Sequence, residues 1–202
     1  MKMETREAVR EGSPFTVREE AGKRYVEGYF ARFDDLYDMG WGITETIDPH
    51  AFDRSIKEGD DVRVLVNHDT TKVLGRTAAG TATLRVDDVG LWASAEINES
   101  DTDATNEAAR MERGDVTGAS FGFEIRDIER EYDQSKGTIH RILKDVRLFE
   151  VSVCTFPAYQ KTAVGVREED RAAASEENRA WKTRQEERLK KLGRGDSLSQ
   201  QS

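Results

Sequence analysis

Two stretches in the second half of the chain, residues 118–125 and 148–154, alternate large apolar residues with small or polar ones. A period of two places successive side chains on opposite faces of a β-strand. The apolar positions of each stretch share one face, which indicates a strand with that face against a core. The opposite face carries Ser120, Gly122, Glu124, Glu150 and Ser152. The pattern constrains the chain to a β-rich fold with polar groups on one side of two strands.

Other apolar runs, separated by turn signals, predict further strands. One run is rich in aromatic residues, another is continuously apolar and ends at Asn67-His68-Asp69, and two more form a hairpin that turns before Gly90. The predicted strands are residues 25–33, 62–66, 81–86, 91–97, 119–126 (with an extension to 132) and one or two within 139–155.

Two short helices are predicted among these strands. The first covers residues 48–58, because Asp48 is a good N-cap and Pro49 suits the first helical position. The second fits residues 101–113, where small and apolar residues recur on one helical face and Gly114 follows as a stop. We therefore expect a mainly β fold with flanking helices, of the α+β class.

These elements define one domain, residues 15–166, between two segments of different character. Residues 1–14 form a charged stretch that is predicted to be disordered. Residues 167–202 are rich in alanine, glutamate, lysine and arginine, and they predict a charged tail that is helical and then disordered. The few large apolar residues of this tail are spaced for one helical face: Trp181, Leu189 and Leu192.

Composition limits the partners of the chain. The net charge is −9, and residues 167–202 hold nine Lys or Arg against eight Asp or Glu, so the excess acid lies in the domain. An acidic domain repels phosphate backbones, so we expect no nucleic-acid partner. No apolar run approaches the ~18 residues that span a bilayer, so we expect no membrane association. The single cysteine, Cys154, fits a reducing cytoplasm and is interpreted as a buried structural thiol.

The chain has three histidines, and one of them stands out as a candidate general base. His50 follows the start of a predicted helix, where it helps to cap the helix or faces water. His140 lies on a predicted strand, where a solvated or cross-strand role is the natural interpretation. His68 comes just after an apolar strand, where a side chain can be held in a fixed position, as a general base requires.

Ser120 and Glu150 each admit two interpretations. Ser120 lies between Gly118 and Gly122, which lets another backbone approach its hydroxyl, as a nucleophile needs. Alternatively, it is a small residue at a crowded strand crossing. Glu150 is a carboxylate in an apolar strand, which is costly to bury alone and suits an imidazole partner. Alternatively, it lies on an edge strand and faces water.

Six linked stretches carry a resemblance to a known family. They are residues 45–52 (Glu-Thr-Ile-Asp-Pro-His-Ala-Phe), 66–69 (Val-Asn-His-Asp), 74–77 (Leu-Gly-Arg-Thr), 90–92 (Gly-Leu-Trp), 118–123 (Gly-Ala-Ser-Phe-Gly-Phe) and 149–153 (Phe-Glu-Val-Ser-Val) running into Phe-Pro-Ala at 156–158. In this order and spacing, over residues 25–166, they resemble the prohead (procapsid maturation) serine proteases of tailed phages. These are related to the herpesvirus assemblin proteases.

The resemblance implies a fold and a set of site residues. The fold is an assemblin-like closed β-barrel with flanking helices. His68 is the general base, Ser120 is the nucleophile, and Glu150 matches the acidic third member of phage relatives. Assemblins use a second histidine there, so His140, the only histidine after Ser120, is the alternative third member. Backbone N–H groups, with the region after Cys154 as one candidate source, form the oxyanion hole, and no cofactor or metal is expected.

The resemblance also implies a biological role. The chain is expected to be a serine endopeptidase that cuts the capsid scaffold, or the scaffolding segment of the major capsid protein, and also its own termini. This takes place inside the assembling procapsid in the cytoplasm of the bacterial host, and a homodimeric active form is left open. One alternative is a non-catalytic capsid-assembly scaffold module that keeps the fold. Another is a metal-dependent phosphohydrolase, indicated by the His68-Asp69 dipeptide, which would need further His and Asp ligands.

Overall fold

The computed structural model describes residues 3–8, 15–33, 35–133, 135–156 and Thr183, and its architecture is mainly β. The strands are β1 (Glu4–Ala8), β2 (Phe15–Glu20), β3 (Lys23–Arg32), β4 (Tyr37–Gly40), β5 (Ile43–Ile47), β6 (Arg63–Val66), β7 (Asp69–Arg76), β8 (Ala82–Val86), β9 (Gly90–Glu96), β10 (Gly118–Asp133) and β11 (Thr138–Cys154). The helices are α1 (Asp53–Glu58) and α2 (Thr102–Arg113), with a short 3-10 turn at Thr77–Ala79. The prediction of a mainly β fold with a few helices is confirmed.

The strands form two sheets. One sheet has the order β1-β10-β11-β5-β4, and in it β6 also pairs with β11 and with β7. The other has the order β2-β3-β9-β8. Across the described ranges the strands do not close into a barrel, so the closed barrel that the resemblance implies is not found there. The predicted tail, residues 167–202, lies outside the described residues except for Thr183.

The two longest strands, β10 and β11, form an antiparallel ladder on which the site is built. The 17 residues of β11 form one strand, and its two halves pair in parallel with different neighbours. Residues 139–143 pair with β5, and residues 150–153 pair with β6. The β10–β11 register shifts between Gly122 and Phe123 and again around Asp127, and such bulges bend a long strand. β11 thereby connects the centre of the sheet with the β6–β7 hairpin.

The core lies between the two sheets. Phe30 and Leu91 of the four-stranded sheet belong to the same buried cluster as Phe121 and Phe123 of β10. The Phe121 ring stacks on Phe123 at 4.9 Å between ring centroids and meets Phe52 edge-on at 5.5 Å. Burying one such side chain stabilises the fold by ~1.5–3 kcal/mol. The apolar face predicted for residues 118–125 packs on this core. In residues 148–154 Val151 and Val153 belong to the core, whereas Phe149, predicted on the same face, is only partly buried.

Both predicted helices are present, and one of them is shorter than expected. α2 begins after Asp101, whose carboxylate accepts two backbone N–H groups of the first turn, and it ends at Gly114 with a φ of 84°. α1 starts later than the predicted Asp48, because that carboxylate accepts the N–H of His50 in a turn and also binds Lys144 of β11. Among the residues described, no helix is long and apolar enough to cross a membrane.

Five strands, β1, β2, β4, β5 and β7, are not predicted by the sequence pattern. β1 lies within residues 1–14, and the prediction of disorder is wrong for Glu4–Ala8. This strand alternates charged residues and carries no apolar face, so no hydrophobic pattern marks it. Its burial depends on charged partners elsewhere in the chain, since Arg6 pairs with Glu45 of β5.

Candidate active site

His68 lies on a tight turn between β6 and β7. Val66 pairs with Asp69, so Asn67 and His68 are the two turn residues of this hairpin. Their φ angles are 51° and 60°, in the left-handed region that the favoured two-residue hairpin turn requires at both central positions. Asn and His are among the non-glycine residues that are enriched in this region. The turn therefore gives the His68 side chain a defined direction, which a strand end alone would not.

Hydrogen bonds tie this turn to the end of β11. The Asn67 N–H donates to the carbonyl of Val153 at 2.8 Å. The Asn67 side chain donates to Thr155 Oγ1 at 3.1 Å and accepts the Thr155 N–H at 2.9 Å. The His68 N–H donates to Ser152 Oγ at 3.2 Å. A left-handed non-glycine residue costs roughly 1–2 kcal/mol, and these bonds offset that cost.

The imidazole of His68 contacts the carboxylate of Glu150. His68 Nδ1 lies 2.7 Å from Glu150 Oε1. An ionised carboxylate can only accept a hydrogen bond, so Nδ1 carries a proton and Nε2 is the basic atom of the neutral ring. The Glu150 side chain is 5% exposed and that of His68 is 23% exposed, while the Nε2 atom itself is shielded from solvent. The pair has the geometry of a base and the acid that orients it.

Ser152 joins the two members of this pair. Its hydroxyl donates to Glu150 Oε2 at 2.6 Å and accepts the main-chain N–H of His68. The side chain is fully buried, so these bonds are not shared with bulk water. Sequence reasoning gave Ser152 no role, and the available signal was its position on the same strand face as Glu150. We refer to His68, Glu150 and Ser152 as the site network.

Gly122 leaves the space that the Glu150 carboxylate fills. The two residues are paired across β10 and β11. A Cβ atom at Gly122 would lie 2.3 Å from Glu150 Oε1 and 3.0 Å from Cδ, far inside van der Waals contact. The sequence interpretation assigned this glycine to the approach of another backbone. The structure instead places an acidic side chain over it.

Ser120 lies in β10, between the site network and β1. It pairs with Ser152 on one side and with Glu7 of β1 on the other. Its side chain is 0% exposed, and its hydroxyl donates to the main-chain carbonyl of Arg6 at 2.7 Å. A hydroxyl has one hydrogen to donate, so this hydrogen is directed at β1. The structure thus brings His68 and Glu150 into contact, with Ser120 on the adjacent strand.

The other candidates lie elsewhere. His140 is on β11, where its ring nitrogens lie 3.0 Å from the hydroxyls of Thr44 and Thr46 on β5. Ser152 lies twelve positions further along β11, a contour of roughly 40 Å. The exposed side chain of His50 contacts Asp53 at 2.9 Å. These positions agree with the cross-strand interpretation of His140 and with the solvent-facing interpretation of His50, since no side chain among the described residues caps the start of α1.

Cys154 and Thr155 lie at the end of β11, beside the turn that carries His68. The thiol is buried, as predicted, at the end of β11. The N–H of Thr155, in the region considered for the oxyanion hole, already donates to Asn67. Beyond residue 156 that region lies outside the described residues.

The Asp69 carboxylate binds Thr71 of its own strand, β7. It accepts hydrogen bonds from the N–H and hydroxyl of Thr71, at 2.9 and 2.6 Å, and the hydroxyl is the main reason that the pKa of Asp69 is lowered. In the described part of the chain no group of three or more His, Cys, Asp or Glu side chains is placed to hold a metal ion.

Comparison with known proteins defines the class. Residues 13–177 match the family model described as the caudovirus prohead serine protease. This range covers most of the chain and includes Ser120, His68 and Glu150. The chain therefore belongs to the caudovirus prohead serine protease family, and the resemblance of the six stretches is confirmed.

An individual relative is the prohead protease of Enterobacteria phage HK97. The two sequences are 29% identical over 147 residues, which cover 71% of this chain and 60% of the phage protein. The chain thus spans less than two thirds of the length of this relative. No solved structure matches the chain.

Proposed function

We propose that this chain is a serine endopeptidase of phage head maturation, with His68 as general base, Ser120 as nucleophile and Glu150 as the acid that orients the imidazole. The observation that carries the proposal is the 2.7 Å contact between His68 Nδ1 and Glu150 Oε1. His68 of the β6–β7 turn meets Glu150 of β11, and β11 pairs directly with β10, the strand that carries Ser120. Membership of the prohead serine protease family supports a serine nucleophile.

The chemistry is peptide-bond hydrolysis through an acyl-enzyme. Ser120 Oγ attacks the scissile carbonyl carbon while His68 Nε2 accepts the hydroxyl proton. The imidazolium then gives this proton to the leaving amine, and the C–N bond breaks. Water repeats the cycle at the ester and releases the carboxylate product and Ser120. The Glu150 carboxylate accepts the Nδ1–H hydrogen bond throughout and stabilises the positive ring.

A rotation of the Ser120 side chain precedes this chemistry. The Ser120 hydroxyl donates to the Arg6 carbonyl, so it must turn from β1 toward His68 before it can be activated. Rotation about a serine Cα–Cβ bond exchanges staggered positions without movement of the strand. The backbone position of Ser120, directly opposite Ser152, is retained in this step.

The substrate we propose is the capsid scaffold or the scaffolding segment of the major capsid protein, cut within the assembling procapsid. The name of the HK97 relative, prohead protease, supports this setting. The acidic composition of the domain favours a protein substrate over nucleic acid. Cleavage of the chain's own termini belongs to the same proposal.

Coexpression with the cognate capsid protein tests the proposal. Wild type should trim the capsid protein, and Ser120→Ala should leave it at full length. Ser94→Ala is the matched control, because Ser94 is also a buried strand serine but lies on β9 of the other sheet. Equal trimming by wild type and Ser120→Ala would overturn the nucleophile. Absence of trimming by all three proteins would favour the non-catalytic scaffold module.

A further inference from the structure

We propose that the edge of β10 beside Ser120 is a binding site for an extended peptide that carries a basic side chain, and that β1 occupies this site in the structure. The substrate role of the site rests on the proposed function, because it takes Ser120 as the nucleophile. The peptide and β1 would compete for the same strand edge.

The backbone of β1 lies on β10 as a peptide ligand would. The two strands pair antiparallel from Glu4 opposite Phe123 to Ala8 opposite Ala119, and this range includes Ser120. Extended peptides commonly bind by adding a strand to a sheet edge, where main-chain hydrogen bonds supply affinity. The edge of β10 therefore already accepts five residues of extended chain.

β1 also presents to Ser120 the kind of group that a serine nucleophile attacks. The main-chain carbonyl of Arg6 accepts the Ser120 hydroxyl at 2.7 Å. With β1 in place the Ser120 side chain is fully buried. A substrate carbonyl can reach Ser120 only if this part of β1 leaves the edge.

The Arg6 side chain indicates which side chain the site prefers. Its guanidinium is buried, and it donates two hydrogen bonds to the carboxylate of Glu45. It also lies over the Phe123 ring, with 5.1 Å between the guanidinium carbon and the ring centroid. Glu45 and Phe123 belong to the sheet and not to β1, so they remain when β1 leaves. A planar cation that binds a carboxylate through two bonds and stacks on a ring is best supplied by arginine.

A thiol probe at the serine position tests the site without any need for catalysis. In Ser120→Cys the introduced thiol reports access to the β10 edge, and the native Cys154, which is 3% exposed, reports general unfolding. Iodoacetamide alkylation of each thiol is followed by peptide mass mapping. Adding Arg6→Glu places a second carboxylate against Glu45, and it should speed alkylation at position 120 by at least about tenfold without affecting Cys154.

A peptide then tests the ligand class. The capped peptide Met-Glu-Thr-Arg-Glu-Ala, residues 3–8 of the chain, should restore protection of the introduced thiol in the Arg6→Glu background. The same peptide with alanine in place of arginine should protect much less. As a matched control, Arg18→Glu removes an exposed arginine of the edge strand β2 in the other sheet, and it should leave alkylation unchanged.

The outcomes separate this inference from the proposed function. Equal alkylation with and without Arg6→Glu, or equal protection by both peptides, would overturn the site. If the arginine peptide protects but Ser120→Ala still trims the capsid protein, the peptide site stands and the nucleophile is wrong.

Discussion

Two buried polar networks share β11, and they differ in charge balance and in access to solvent. One is the site network of His68, Glu150 and Ser152. The other, which we call the charge cluster, joins β1, β5 and β11 through two carboxylates and two guanidiniums: Glu4, Arg6, Glu45 and Arg141. All four side chains of the charge cluster are buried, whereas His68 keeps partial exposure.

The difference shows what each network can do. Removing an ion from water costs several kcal/mol, which is recovered only when its charge is balanced and its hydrogen bonds are made. The charge cluster balances two carboxylates with two guanidiniums, as in the pair of Arg141 and Glu45 at 3.0 Å. The site network instead contains an imidazole, a group that can both accept and donate a proton. The charge cluster is suited to holding strands together, and the site network to moving a proton.

The largest effect is expected from His68→Asn. Asparagine tolerates the left-handed backbone of the turn but cannot act as a base. Proteolytic activity should fall by on the order of 10⁴-fold or more, while the free energy of unfolding changes by less than about 1 kcal/mol. Substrate trimming and urea denaturation of the same preparation measure both. A large loss of stability would remove the contrast with the charge cluster.

The next largest effect is expected from Arg141→Met, which should lower stability and leave activity unchanged. Arg141 is 0% exposed, so its loss leaves the carboxylates of the charge cluster in excess. The free energy of unfolding should fall by about 3–5 kcal/mol, while the folded protein keeps its activity. Combining Arg141→Met with Glu45→Met restores the charge balance and should recover part of the loss. Additive losses in the double variant would show that the two residues do not act as a pair.

Gly122→Ala tests whether the site network needs the contact between His68 and Glu150. The new Cβ would overlap the Glu150 carboxylate, and the flexible glutamate side chain would move aside and lose its contact with His68. A displacement of about 1 Å in such a group costs activity on the order of 10²-fold. The change should appear in kcat more than in the melting temperature. Wild-type activity in this variant would mean that the contact between His68 and Glu150 is dispensable.

The smallest effect is expected at the ion pair between Asp61, just before β6, and Arg76 at the end of β7. The guanidinium of Arg76 lowers the pKa of Asp61 from its ordinary 3.8 to about 2. A carboxyl with a depressed folded-state pKa contributes stability that is present above its unfolded pKa and is lost as the pH falls toward the folded one. Asp61→Asn should therefore lower the melting temperature slightly at pH 7, with the difference fading between about pH 4 and 2. A constant difference over that range would contradict this origin.

The sequence predicts the strand faces of the site but not their alignment. Period-two alternation correctly assigns Phe121 and Val151 to the core. It places Ser120 and Glu150 together on the other face of their strands. The pairing of Gly122 with Glu150 depends on a β-bulge between Gly122 and Phe123, which has no apolar signature. The sequence alone therefore does not predict that the Glu150 carboxylate packs over Gly122.

The charge cluster was not predictable for a related reason. Glu4 and Arg6 are typical of a solvated segment when they are considered alone. They are buried because Glu45 and Arg141, distant in sequence, complete their ion pairs. In the same way, the turn at Asn67 lacks the glycine of common two-residue hairpins, so the β7 strand after it carries no local signal.

Covalent labelling is the most direct test of the claim that Ser120, His68 and Glu150 act together. Wild-type protein that trims its substrate is treated with a fluorophosphonate, which reacts with activated serines, and the adduct is located by peptide mass spectrometry. The account predicts an adduct on Ser120 that is absent in His68→Asn. An adduct on another serine, such as Ser152, or full trimming activity without any adduct, would contradict it.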